Sequence, residues 1–170
     1  MGDEVTRAIT LAFVGFIFAL ATQFVLRADQ TRRETRLRLL NDLSTEQSLH
    51  EKIAYKARKL VLQGLEKDEP RKLRALIDEA LFEGVYQKSN IVTLCAELES
   101  IGIYTSRYVV STMQFRGRCE QIVEVALMEN NQSSIDICVD KLRDEIIAIS
   151  EDTKVLTTRI NHHFASFWSS

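Results

Sequence analysis

A largely apolar stretch runs from Ala8 to Leu26, nineteen residues without a charge between Arg7 and Arg27. At ~1.5 Å per residue a helix of that length spans roughly 28 Å, close to the ~30 Å hydrocarbon thickness of a bilayer. Leu11, Phe13, Val14, Phe16, Ile17, Phe18 and Leu20 cover every face of such a helix, whereas a helix of a water-soluble protein keeps a polar face. The pattern predicts a transmembrane helix over residues 8–26, preceded by a short N-terminal tail, 1–7.

Past Arg27 the apolar residues thin to a helical stripe at Leu37, Leu40 and Leu43, which predicts a basic juxtamembrane helix extension over 27–43. "STEQS" then breaks the run of leucines. Ser44-x-x-Gln47 has the form of a capping box, so it marks either a fresh helix or a polar turn within a long one. Leu49, Ile53, Ala57, Leu60 and Val61 form the next stripe, with Gly64 placed to end it. Pro70 suits the first turn of a following helix with Leu73, Leu76, Ile77, Ala80, Leu81 and Val85.

Ser89 is placed to cap a further helix through Ile91, Leu94, Cys95, Leu98 and Ile101, which Gly102 ends or bends. The stretch with Tyr108, Val109, Cys119, Ile122, Val123, Ala126 and Leu127 either continues that helix or starts another. "ENNQSS" reads as a loop, and Ser133-x-x-Asp136 as the cap of the last helix. There Ile135, Cys138, Leu142, Ile146, Ile149, Thr153, Leu156, Ile160, Phe164 and Phe167 follow at steps of three or four, as a bundle core or coiled-coil face requires. The fold class expected is all-α: one N-terminal transmembrane helix, then a four- or five-helix bundle-like soluble domain over 44–170.

Composition agrees. One proline and six glycines among 170 residues are too few for the turns of an all-β sandwich. The net charge of −2 argues against a nucleic-acid partner. Its distribution matters more: residues 27–63 hold nine Lys/Arg against five Asp/Glu, and 64–170 hold twelve against seventeen. Arg27, Arg32, Arg33, Arg36 and Arg38 thus sit where anionic lipid headgroups would lie. Basic flanks stay on the cytoplasmic side, so the expected topology is N-terminus out and soluble domain in the cytoplasm.

A cleaved secretion signal is the competing reading, because Ala19-Leu20-Ala21 has the small-x-small form of a cleavage site. Against it, Asp3 and Glu4 outnumber Arg7 at the start, and the apolar run continues through Phe24, Val25 and Leu26. Cys95, Cys119 and Cys138 show no CxxC pairing and read as small buried apolar residues in a reducing compartment. Within the span, Ala8, Ala12, Gly15, Ala19 and Thr22 recur at steps of four and three, a stripe along which another membrane helix can approach.

Candidate chemistry is sparse. His50 lacks the second histidine that a zinc-protease helix places four residues on, and His162 and His163 point ~100° apart on a helix. All three read as ordinary surface histidines, and no cofactor or metal site is expected. Phe164, Phe167 and Trp168 form an aromatic cluster that caps the core, docks on a partner or lies at the membrane interface. The expectation is a non-enzymatic, single-pass, membrane-anchored interaction, assembly or accessory subunit. Its partners are the lipid bilayer and other membrane proteins or a second copy. An exported or outward-facing helical sensor is the alternative.

Overall fold

The three-four spacing of apolar residues is realised as four helical segments among the residues that a computed structural model describes, 2–62, 90–128 and 132–165. We number them α1 (Gly2–Leu62), α2 (residues 90–100), α3 (Ser106–Met128) and α4 (Gln132–Ala165). No described residue is in a strand. The protein is all-α, and among the described residues there is one candidate membrane span, which lies in α1.

The chain divides into two compact units, Met1–Arg38 and Leu39–Ser170. The first is the N-terminal stretch of α1, whose backbone groups are satisfied along the helix itself. Its large apolar side chains are not covered: Phe13, Phe16, Phe18 and Phe24 are 60–80% exposed. Beyond them the surface is threaded with local polar contacts, such as Gln30 to Glu34 at 3.0 Å and Arg33 to Asp29 at 2.9 Å.

In the second unit α1 contributes Leu39, Leu43, Glu46, His50 and Ile53, all buried, at steps of four, three, four and three. The packed unit therefore begins at Leu39, inside the expected juxtamembrane extension 27–43. Leu37 is 66% exposed and off the stripe. Ser44–Gln47 does not start a fresh helix; α1 runs through it. Ser44 and Thr45 face solvent, and the Thr45 hydroxyl donates back to the Asn41 carbonyl at 2.8 Å, so the stretch fits the outer face of a continuous helix. The expected end at Gly64 and the helix expected over 70–85 lie outside the described residues.

α2 ends where Gly102 adopts φ +80°, a left-handed conformation that costs other residues a Cβ–carbonyl clash. The Gly102 N–H donates to the Glu99 carbonyl at 2.9 Å and the Ile103 N–H to the Leu98 carbonyl at 2.9 Å, the pair of bonds of a Schellman cap. Leu98 and Ile103, which the motif brings together, are both buried. Gly102 thus ends the helix, and the stretch after Thr105 is a separate one.

α3 and α4 pair antiparallel. The cross-links descend in register: Arg118 to Glu145 at 3.5 Å, Ser111 to Asp152 at 2.6 Å, and Arg159 to the Tyr104 carbonyl at 3.2 Å. To the buried core of the unit α3 contributes Tyr108, Phe115, Cys119 and Ile122, and α4 contributes Cys138, Leu142, Ile149, Leu156 and Ile160. Each fully buried aliphatic or aromatic side chain contributes ~1.5–3 kcal/mol, so this core is a principal source of stability in the unit. All three cysteines are buried and free. Asp152, although 3% exposed, is satisfied, with one oxygen accepting from Ser111 and the other paired with Arg107 at 2.7 Å.

The Gly102 cap gives a direct test. A Cβ there meets open space, so Gly102→Ala carries only the conformational cost of the left-handed turn, about 1–2 kcal/mol. Denaturant unfolding should show that loss, and Gly102→Asn a smaller one; an unchanged midpoint for both would mean the turn is not required.

Candidate functional site

Three helices of the second unit enclose a cavity of about 410 Å³, within the range of small-molecule sites (~300–1,000 Å³). α1 supplies Leu49, His50 and Ile53; α2 supplies Ile91, Val92, Cys95, Ala96 and Glu99. Thr105 and α3 residues Val109, Thr112, Met113, Phe115 and Arg116 complete the wall. The lining is mostly apolar because each helix turns its own stripe inward, with polar groups set into it singly.

His50 is the most informative of these. It is buried, not on the surface as the sequence reading has it, because it falls in step with Leu43 and Ile53 on the inward stripe of α1. Its Nδ1 lies 2.7 Å from the Glu46 carbonyl, and its ring meets Phe115 edge to face at 5.1 Å between centroids. A carbonyl only accepts, so Nδ1 carries the proton in the neutral ring and Nε2 is left as an acceptor. Burial lowers the His50 pKa, partly opposed by that backbone hydrogen bond, so the ring is neutral at neutral pH.

The other hydroxyls of the lining also spend their protons within the protein. Thr105 donates to Glu99 Oε1 at 2.6 Å, and Thr112 to the Val109 carbonyl at 2.8 Å. Burial raises the Cys95 thiol despite a hydrogen bond with Thr105, which keeps it protonated and unreactive as a nucleophile. Arg116 is held by Glu120 at 3.0 Å. Besides the Glu120-paired Arg116, the cavity presents acceptors and the Glu99 carboxylate, without an activated nucleophile.

Beneath it lies a buried polar cluster. Glu46 is 3% exposed and Tyr108 1% exposed, and neither Glu46 Oε2 nor the Tyr108 hydroxyl has a partner. Glu46 is pushed up to about 7, first by burial and then by the negative charge of Asp42. Burial also pushes the Tyr108 phenol up, and the charges of Glu46 and Cys95 add to it. Sequence reading missed both Glu46 and His50, although the four-three step through Leu39, Leu43 and Ile53 passes through them. That step was the available signal.

The residues singled out from sequence lie elsewhere. On α1, Ala12, Gly15, Ala19 and Thr22 are exposed along one face, and nothing comes within 4 Å of a Cβ at Gly15; the Ala8 side chain lies outside the described residues. Thr22 donates to the Phe18 carbonyl at 2.8 Å. Arg27, Arg32, Arg33, Arg36 and Arg38 are exposed. Phe164 is half-buried against the core and edge to face with His163, while His162 and His163 are exposed. Phe167 and Trp168 lie outside the described residues. Among the described residues, no group of three or more His, Cys, Asp or Glu is placed to hold a metal ion. No protein-family model, curated protein or solved structure matches the chain.

Glu46 predicts a pH dependence. A carboxyl whose folded pKa is raised stabilises the fold below its ordinary value of 4.5, and that stability is lost as pH rises through about 7. Glu46→Gln should remove this loss, gaining on the order of 3 kcal/mol over wild type at pH 8.5 and little at pH 4. Paired denaturation curves across that range measure it. A difference independent of pH would show that Glu46 does not titrate in this window.

Proposed function

We propose that the protein is a single-pass, membrane-anchored helical interaction or accessory subunit, with residues 8–26 in the bilayer. The observation that carries this reading is the state of the apolar helix. Its best 18-residue window has a mean hydropathy of 1.9 and is 0% buried by the protein. A core helix of a soluble protein has its apolar side chains covered by protein; these face outward on all sides and fit lipid.

The exposed arginines from Arg27 to Arg38 follow the span as a headgroup-facing collar, each worth roughly 1 kcal/mol beside anionic lipid. They favour an N-terminus outside and a helical unit in the cytoplasm. The bare face at Ala12, Gly15, Ala19 and Thr22 suits close approach by another membrane helix, from a partner or from a second copy. Nothing in this reading calls on catalysis or on nucleic acid.

The test is the location of one engineered thiol. Gln114 is exposed on α3, whereas the native cysteines are buried. A Gln114→Cys variant should sit in the membrane fraction at full-length mass. It should react with an impermeant maleimide only after cells are permeabilised. Labelling in intact cells would place the helical unit outside, and a mass lacking residues 1–21 would identify a cleaved signal; either result overturns the proposed topology.

A further inference from the structure

We propose that the cavity between α1, α2 and α3 is a binding site for a small organic cation with an apolar body, such as an alkyl- or arylammonium. The inference goes beyond the anchored-subunit reading and does not depend on it, since every lining residue belongs to the second unit.

The argument is one of complementarity. The walls are apolar and accept an apolar body, with Phe115 and Met113 offering a polarisable surface. The threonine hydroxyls and the His50 ring N–H have spent their donors within the protein. Thr105 and Thr112 donate to protein oxygens, and His50 Nδ1 is occupied by the Glu46 carbonyl. Arg116 is ion-paired through its Nε with Glu120 at 3.0 Å, so the other charge of the lining is the Glu99 carboxylate, beside His50 Nε2 and the hydroxyl lone pairs, which accept. A ligand that brings only acceptors leaves these atoms unpaired on desolvation, which is costly. An anion also meets Glu99 as a like charge. An ammonium group supplies both the missing N–H donors and the opposite charge, and the hydrogen bond from Thr105 holds the carboxylate in place for it.

The binding test uses the full chain in lipid nanodiscs, titrated calorimetrically with 4-phenylbutylamine and, separately, with 4-phenylbutyrate. Empty nanodiscs provide the blank for partitioning into lipid. Glu99→Gln keeps an oxygen for Thr105 but removes the charge. Met113→Trp fills the cavity from a position 63% exposed, and Val92→Trp, from one 60% exposed, replaces it if that variant does not fold. Saturable binding of the amine is expected, weakened at least tenfold by Glu99→Gln and abolished by the tryptophan, with the carboxylate ligand at least tenfold weaker. Absence of saturable amine binding, equal binding of the carboxylate, or a dissociation constant unchanged by either substitution would overturn the proposal.

Discussion

Ten large apolar side chains between Leu11 and Leu26 stand exposed on α1. Transfer of such a side chain out of water is worth ~1.5–3 kcal/mol, so the set amounts to roughly 15–30 kcal/mol. A whole domain is stable by only ~5–15 kcal/mol. Left in water, that surface would drive aggregation; in hydrocarbon it costs nothing, and the helical backbone satisfies its own hydrogen bonds there. The helical geometry of residues 8–26, the absence of charge within them and the arginines just after them all fit the proposed bilayer placement.

The second unit is built around a buried apolar core, but with polar groups inside it. The α3–α4 pair buries one carboxylate, Asp152, and both of its oxygens are paired. The α1 stripe is different: two of its five buried positions are Glu46 and His50. Burying a carboxyl oxygen without a partner opposes folding. Of the two, only His50 lines the neighbouring cavity.

Much of the architecture was readable from the chain. The α4 stripe identified Cys138, Leu142, Ile149, Leu156 and Ile160 because a long helix shows its period without interruption. Gly102 was readable as a terminus because few other residues adopt its φ. The polar core positions were not, for Glu46, His50 and Asp152 are residue types that usually face water, and only their step from Leu43 and Ile149 gives them away. The passage of α1 through Ser44–Gln47 was ambiguous for a related reason: a capping box and a polar helix face share the same residues. The cavity was illegible, because it is made by three stripes meeting and no one segment encodes it.

The bilayer assignment rests on the environment of residues 8–26, and spin-label accessibility reads that environment directly. Single labels placed at Phe13, Phe16, Phe18 and Phe24 in the lipid-reconstituted protein would be relaxed by oxygen, which concentrates in hydrocarbon, and by a water-soluble nickel chelate. Immersion predicts strong relaxation by oxygen and protection from nickel at Phe16 and Phe18, with the contrast reversing past Arg27. Strong relaxation by nickel at Phe16 and Phe18, or protection from both reagents, would put this helix in water or inside protein and contradict the membrane reading.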